Sequence, residues 1–427
     1  MSSEWELRPL VEIADEVTVG FVGSMASEYV SSGIPFLRSL NIDPFGVNFK
    51  DLKYISPEFH QRIKKSALKP GDVAIVRTGK PGTCTVIPDC LEDANCSDLV
   101  VVRCGPKIRA HFLCYWVNSI ATHHISSHTV GAVQQHFNVG AAKTMMVAVP
   151  SLAEQDLVLT VLLSLDDRIT LLRETNSTLE AIAQALFKSW FVDFDPVNSR
   201  MNGRMPEGLD ETTAALFPNS LVDSELGLIP AGWVVRPLDE IANFLNGLAL
   251  QKFPPTVDSW LPVIKIAQLR KGDSVGADRA GRNIKPEYIV QNGDVLFSWS
   301  GSLEVEVWCG GEGALNQHLF KVSSDAYPKW FYYLWTKYHL ENFRQIAASK
   351  ATTMGHIQRA HLTQALVVTP SPSFVSSVSE FFAPLLERCI TTKLQSQNLA
   401  ILRDTLLPRL ISGQLRLTGN VTPFEEA

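Results

Sequence analysis

The chain has 427 residues and a net charge of −6, and 45% of its residues are hydrophobic while 19% are charged. At roughly 100–200 residues per domain, this length predicts two or three domains with substantial cores, which excludes a mainly disordered chain. No apolar run approaches the roughly 20 residues that cross a membrane, and the start MSSEWELRPLVEIAD is too polar for a signal peptide. We therefore expect an intracellular, cytoplasmic protein that makes no membrane contact.

The cysteines and histidines do not form a recognisable metal or disulfide pattern. The seven cysteines contain no CxxC pair, so the sequence favours reduced thiols over a disulfide framework or a zinc ribbon. His124 and His128 have the spacing of a metal pair on a helix, but no third ligand is close in sequence. The sequence therefore predicts no metal site.

The two halves of the chain resemble each other. The segment WELRPLVEIAD (5–15) matches WVVRPLDEIAN (233–243) at seven of eleven positions, and LKPGDVAIV (68–76) aligns with IVQNGDVLF (289–297). Phe112 and Trp116 recur as Phe331 and Trp335. A duplication of this kind predicts two copies of one module, each with its own core.

Each module consists of a β-rich part followed by a long helical part. The β-rich parts contain short apolar runs separated by Gly, Pro, Asn and Asp, which predicts two similar α+β domains with mixed α/β structure. The predicted order is a first α+β domain (1–150), a first long helix (151–196), a linker (197–231), a second α+β domain (232–370), a second long helix (371–418) and a tail (419–427). The linker is predicted from its Gly, Pro, Asn and Ser content.

The two helical parts have a heptad-like apolar seam. In the first helix the predicted seam contains Leu165, Ile169, Leu172, Asn176, Leu179 and Leu186, and in the second it contains Leu399, Leu402 and Leu406. If the seams pair, the helices form an antiparallel coiled coil related by a pseudo-twofold axis, with the two domains at opposite ends.

Signatures of catalysis are missing from the sequence. There is no GxxxxGK[ST] phosphate loop, no GxGxxG string and no N/D-P-P-aromatic motif, and the acidic clusters lack a following ExK. The sequence therefore predicts no catalytic residue in this chain.

The distribution of charge and amide side chains favours DNA as a ligand. Residues 60–145 contain ten Lys and Arg against five Asp and Glu, a local balance of +5 in an acidic chain. Amide-rich and hydroxyl-rich loops lie at matching places in both halves, and such side chains read base edges. The candidate DNA-binding residues are Lys64, Lys65, Lys69, Arg77, Thr78, Lys80, Gln134, Gln135, His136, Ser298, Ser300, Gln317, His318, Lys350, Thr352, Thr353 and His356.

Several strings resemble one known family over the whole chain. LFKSWFVDFDPV, GDVLFSWSGS, LNQHLFKV and LLPRLISGQLRL look like the specificity subunit of type I restriction-modification systems. The resemblance implies that the domains 1–150 and 232–370 are target recognition domains. Each recognition domain would read one half of a bipartite, asymmetric double-stranded DNA site. The resemblance also implies that the helices dock two modification subunits that use S-adenosylmethionine, and that a restriction subunit joins for cleavage dependent on ATP and Mg²⁺. The chain itself would hold no cofactor.

Two other classes of protein are open on the residues alone. A coiled-coil adaptor that never binds DNA would explain the helices but not the basic, amide-rich domains. A stand-alone DNA methylase or nuclease would need the catalytic motifs that are missing.

Overall fold

The computed structural model describes residues 5–127, 129–130, 136–349 and 355–417. The chain divides into unit 1, Met1–Ile169 with Asn398–Ala427, and unit 2, Thr170–Gln397. The first long helix is Leu152–Phe191 and the second is Pro372–Ile411, each 40 residues long. Each unit therefore contains a segment of both long helices.

Unit 1 is built around a four-stranded antiparallel sheet whose two faces are both buried. Its strand order is Cys84–Val86, Val73–Val76, Leu99–Cys104 and Ala14–Val19. Along the central strand, Val73 and Ile75 face one hydrophobic cluster, while Ala74 and Val76 face another. This period of two is why an almost uninterrupted apolar run forms a strand here.

A second sheet of unit 1 is mixed. Its order is Tyr29–Val30, Lys53–Ile55, Ile34–Leu37, Ala94–Cys96 and Ala67–Leu68, with Ile34–Leu37 and Ala94–Cys96 parallel. A two-stranded ladder, Leu7–Pro9 with Met146–Ala148, joins the beginning and the end of the β-rich part.

Unit 2 repeats this topology, except that its mixed sheet has four strands where that of unit 1 has five. Its antiparallel sheet has the order Val305–Val307, Val295–Ser298, Leu319–Ser323 and Asn243–Asn246. Its mixed sheet has the order Arg279–Gly281, Trp260–Ile264, Gly313–Leu315 and Ile289–Val290, with the middle two strands parallel. The joining ladder is Val234–Pro237 with Leu366–Thr369. The predicted duplication and the mixed α/β class are confirmed.

Shorter elements complete both units. The helices of unit 1 are Leu10–Ile13, Pro57–Arg62, Ala110–Ser119, Thr122–Ser127 and Val139–Lys143, and those of unit 2 are Asp195–Met201, Glu211–Leu216, Leu238–Ile241, Ile266–Lys271, Lys329–Ser349 and Arg359–Gln364. The 3₁₀ turns are Ser39–Asn41, Lys64–Ser66, Leu250–Lys252 and Pro286–Tyr288. The remaining short strand pairs are Ile42–Asp43 with Gly46–Val47, Thr129–Val130 with His136–Phe137, and Leu221–Ser224 with Gly227–Pro230.

The segment 197–231, which the composition predicts as a linker, is folded. Helices Asp195–Met201 and Glu211–Leu216 and the hairpin Leu221–Ser224 with Gly227–Pro230 occupy it. Val197 and Phe217 are at most 1% exposed in the core of unit 2. The linker prediction was wrong because Gly, Pro and Asn mark turns between short elements as well as extended connections. The other domain bounds stay predictions, and the tail 419–427 lies outside the described residues.

The two helices run antiparallel within unit 2. Asn176 and Thr392 are hydrogen bonded at 3.2 Å, and the rings of Phe191 and Phe374 lie 6.3 Å apart. Residues later in the first helix therefore pack against residues earlier in the second helix.

The paired segments in unit 1 enclose a polar group. Arg403 Nη1 lies 2.6 Å from Asp166 Oδ1, and the Tyr115 hydroxyl donates to the same carboxylate. Burial, together with the charge of Asp166, raises the pKa of Tyr115. The Tyr115 hydroxyl therefore stays protonated as a donor, and the seam contains a satisfied ion pair as well as leucines.

The predicted seam is largely correct in the first helix and shifted in the second. Leu165, Ile169 and Leu172 are 2–5% exposed, and Asn176, Leu179, Leu186, Leu399 and Leu406 are half-buried. Leu402 is 44% exposed, so its assignment to the seam was wrong; Leu407 and Leu410 are the buried leucines at that end. The buried seam residues hold the helices together and are not a free docking surface.

Candidate DNA interface

The loop after the central strand occupies the same place in both units. In unit 1 the Phe137 N–H donates to the Arg77 carbonyl at 2.9 Å, and in unit 2 the Ile357 N–H donates to the Trp299 carbonyl at 3.0 Å. Arg77 and Trp299 are therefore equivalent positions at the end of equivalent strands. We call the side chains around them the unit 1 sheet-end cluster (Arg77, Thr78, Asp98) and the unit 2 sheet-end cluster (Asn246, Trp299, Ser300, Gln317, His318, His356).

Trp299 organises the unit 2 sheet-end cluster. Its indole Nε1–H is shared between Asn246 Oδ1, at 2.9 Å, and the Gln317 carbonyl, at 3.1 Å. Its ring lies 5.7 Å from that of His318 and 6.4 Å from that of His356. One half-buried tryptophan thus contacts polar side chains from three separate segments of the chain.

A hydrogen-bonded chain extends from this tryptophan. His318 Nδ1 lies 3.0 Å from the buried Ser300 Oγ, and His318 Nε2 lies 3.3 Å from Gln317 Nε2. Ser300 and His356 also form a β-bridge. Asn246 and His356 are exposed, whereas Gln317 and His318 are half-buried. The cluster therefore presents amide and imidazole groups on a fixed frame, which is chemistry suited to hydrogen bonding with base edges.

The unit 1 sheet-end cluster has different chemistry. Arg77 Nη1 lies 3.0 Å from Asp98 Oδ1, Arg77 Nε donates to the Phe137 carbonyl at 3.3 Å, and the Thr78 hydroxyl donates to Asp98 at 2.5 Å. The Arg77 side chain is only 10% exposed. An arginine that is buried and paired in this way supports the loop. The negative charge of Asp98 reduces the attraction of Arg77 for a DNA phosphate.

Four lysines carry exposed positive charge on the surface of unit 1. Lys64, Lys65, Lys69 and Lys80 are all exposed, and within the described ranges none of them has a carboxylate at ion-pair distance. Lys64 and Lys65 begin a 3₁₀ turn, which follows the capped helix Pro57–Arg62. These lysines retain their hydration and can exchange counterions for phosphates.

The remaining predicted site residues divide into three groups. Ser298 is fully buried, and its hydroxyl donates to the Ser302 carbonyl and accepts from the Glu304 N–H, both at 2.7 Å. It closes a turn, so we correct its assignment as a DNA contact. Of His136 only the backbone is described, in the strand His136–Phe137. Gln134, Gln135, Lys350, Thr352 and Thr353 lie outside the described residues.

Three members of these clusters, Asn246, Trp299 and Asp98, were missed as candidate residues. Asn246 ends the strand Asn243–Asn246, where the equivalent strand of unit 1 ends with Val19. An exposed amide in one copy where the other copy has an apolar residue is a signal that comparison of the two halves could have found. Asp98 could not have been assigned from sequence, because its partner Arg77 is 21 positions away in the chain.

Other site types were sought in the same described ranges. No group of three or more His, Cys, Asp and Glu side chains is placed to hold a metal ion there. All seven cysteines are free thiols. Among the helices described, none is both long and apolar enough to span a membrane.

Comparison with known proteins finds similarity to type I restriction enzyme specificity subunits. Residues 230–373 match the type I restriction modification DNA specificity domain. The chain is 23% identical over 321 residues to the type I restriction enzyme HindI specificity subunit of Haemophilus influenzae, covering 64% of this chain and 70% of the relative. It is 25% identical over 284 residues to the MjaIX specificity subunit of Methanocaldococcus jannaschii, covering 64% of this chain and 62% of that relative.

A solved structure supports the same fold. The type I restriction-modification S subunit from M. genitalium aligns with a TM-score of 0.53 at 12% identity, covering 96% of each chain. At this identity the likeness concerns the fold. The resemblance found in the sequence is confirmed: residues 230–373 match the type I restriction modification DNA specificity domain, and the chain is similar to type I restriction enzyme specificity subunits.

Proposed function

We propose that this chain is the sequence-specific DNA-binding subunit of a type I restriction-modification complex, in which each unit reads one half of a bipartite, asymmetric site. The observation that carries this proposal is the contrast between the two sheet-end clusters. The antiparallel sheets of the two units have the same strand order, but one unit has an Arg77–Asp98–Thr78 cluster where the other has Trp299 with amides and imidazoles. One scaffold with two different sets of side chains suits two different half-sites.

The proposal separates affinity from specificity. The exposed lysines of unit 1, including Lys64, Lys65 and Lys69, would contact phosphates and contribute binding to any duplex. Base edges would be read by the unit 2 sheet-end cluster and by loop residues at the same end of unit 1.

We also propose the partners and cofactors of the complex. Two modification subunits would dock on the long helices, using exposed positions such as Leu402, because the seam leucines are buried. The modification subunits would bind S-adenosylmethionine, and a restriction subunit would use ATP and Mg²⁺ for cleavage. The chain itself would be non-catalytic and hold no cofactor, and the complex would act in the cytoplasm.

Methylation mapping tests the proposal. The chain is co-expressed with its modification subunits in a host that lacks other DNA methylases, and modified bases are mapped across the genome. The expected result is one asymmetric motif made of two specified halves and an unspecified spacer. Methylation without sequence preference, or methyl transfer by the purified chain alone, would overturn it.

A further inference from the structure

We propose that Asn246 and Gln317 of the unit 2 sheet-end cluster recognise an adenine in one half of the DNA site, through the major-groove edge of that base. This inference rests on the proposed function and goes further by assigning two residues and one base. It follows from which polar atoms the cluster already uses and which it leaves for a ligand.

Asn246 is oriented as a hydrogen-bond donor. The indole Nε1–H of Trp299 can only donate, so the Asn246 atom 2.9 Å from it must be the carbonyl oxygen Oδ1. The amide Nδ2 then points away from Trp299, and within the described residues it has no acceptor at hydrogen-bond distance. Because Asn246 is exposed, both N–H groups are available to a ligand.

Gln317 supplies the complementary acceptor. Its backbone is fixed on both sides, since its N–H donates to the Leu248 carbonyl at 2.9 Å and its carbonyl accepts from Trp299 at 3.1 Å. Its side-chain Nε2 lies 3.3 Å from His318 Nε2. When His318 carries its proton on Nδ1 and donates it to Ser300 Oγ, 3.0 Å away, Nε2 accepts from Gln317. Gln317 Oε1 is then left as an acceptor.

A donor beside an acceptor matches one base. On the major-groove edge, guanine offers two acceptors, cytosine one donor, and thymine one acceptor and a methyl group. Adenine alone offers an acceptor, N7, next to a donor, the N6 amine. The indole N–H of Trp299 is shared between the Asn246 side-chain oxygen and the Gln317 backbone carbonyl, so the two residues are neighbours. The Asn246 side chain is restrained by this bond, and the Gln317 side chain is restrained by His318. Little side-chain entropy remains to be lost on binding.

The decisive variant is Asn246→Asp. It keeps an oxygen for the Trp299 N–H but replaces the outward amine with a second acceptor, so the site becomes complementary to the N4 amine of cytosine. The complex of the full chain with its modification subunits selects from a library of duplexes randomised over both half-sites. We expect adenine preference at one position to fall by roughly 5- to 100-fold in favour of cytosine, with every other position unchanged.

Two further variants make the experiment specific. Asn243→Asp introduces the same charge at the other end of the same strand, where it should leave the selected sequence unchanged. Trp299→Phe keeps an aromatic ring but releases the Asn246 amide, so it should weaken the preference at the same position without introducing cytosine.

The outcomes distinguish this inference from the proposed function. If the unaltered complex selects no sequence, the proposed function fails. If it selects a bipartite site but Asn246→Asp leaves every position unchanged, or weakens binding to all sequences without shifting the preference for adenine, then only the adenine assignment is overturned.

Discussion

The two sheet-end clusters show how one frame supports different chemistry. Both loops are anchored by the same backbone hydrogen bond, yet Arg77 is neutralised by Asp98 while Trp299 holds amides toward solvent. The ladders and the cores of the sheets fix the frame, and the loop residues are constrained only by local hydrogen bonding. The side chains of these loops can therefore differ between the units without a cost to the fold. Each prediction below tests whether a feature belongs to the frame or to the variable chemistry.

The largest effect is expected at a glycine that belongs to the frame. Gly20 and Gly247 occupy the same turn, with their N–H groups donating to the Leu99 and Leu319 carbonyls. A Cβ on Gly247 would lie 2.2 Å from the Asn316 carbonyl oxygen, whereas one on Gly20 would first meet Cys96 Sγ at 2.8 Å. Since backbone cannot move aside as a side chain can, Gly247→Ala should destabilise unit 2 by about 3 kcal/mol or more.

The matched variant is Gly20→Ala, for which we expect about 1–3 kcal/mol in unit 1. Hydrogen exchange followed residue by residue would measure the stability of each unit separately. Equal losses in the two variants would mean that the two turns are less different than the distances indicate.

The second effect concerns pH. Four residues after Trp116, Ile120 is the C-cap of the unit 1 helix Ala110–Ser119, and four residues after Trp335 the helix Lys329–Ser349 of unit 2 has His339. Burial lowers the pKa of His339 from 6.5 to about 4, and its ring contacts the Leu366 carbonyl at 3.0 Å. As pH falls, His339 binds a proton in the unfolded chain before it does so in the folded chain. Its neutral form therefore costs no free energy of unfolding above pH 6.5, and free energy of unfolding is lost between pH 6.5 and 4.

The free energy of unfolding that His339 causes to be lost between pH 6.5 and 4 is roughly 3 kcal/mol at most. His339→Ile, which copies unit 1, should remove it, and the stability of unit 2 should then depend less on pH between 6.5 and 4. Urea unfolding at several pH values checks this. Parallel pH profiles for the variant and the unaltered chain would show that His339 does not resist protonation.

A smaller effect is expected from the ion pair of unit 1. Arg77→Ala leaves Asp98 without its main partner, and because Asp98 is 38% exposed we expect a loss of only about 1–2 kcal/mol. The dependence of DNA affinity on salt should not change. Lys80→Ala, on the same loop, is the control. It should leave the stability of unit 1 unchanged and reduce the dependence of DNA affinity on salt. A reduced salt dependence in Arg77→Ala would instead mean that this arginine contacts phosphate.

The smallest and most uniform effect is expected from the exposed lysines. Replacing Lys64, Lys65 and Lys69 with Ala should weaken binding to all duplexes alike, and should flatten the salt dependence by up to about 0.9 per lost contact. Neither stability nor sequence preference should change. Fluorescence anisotropy at several salt concentrations measures the slope, and an unchanged slope would show that these lysines face solvent in the complex.

The frame could be predicted from sequence more fully than the site. The recurrence of Trp5 and Trp233, the GDV strings and the apolar seam predicted the duplication and the antiparallel helices, because cores and ladders impose periodicity on the residues that form them. Ser300, Gln317, His318 and His356 were predicted individually, and the structure brings them together. Their organiser Trp299, the buried state of Ser298 and the partner of Arg77 depend on contacts between distant segments, which no periodicity records.

The central claim, that each unit reads its own half-site on a shared frame, is tested most directly by a domain exchange. Residues 232–370 are replaced with the equivalent domain of a relative of known specificity, and methylated sites are mapped in cells that also express the modification subunits. The account predicts that one half of the motif changes to that of the donor domain while the other half is retained. A motif in which both halves change, or neither does, would contradict it.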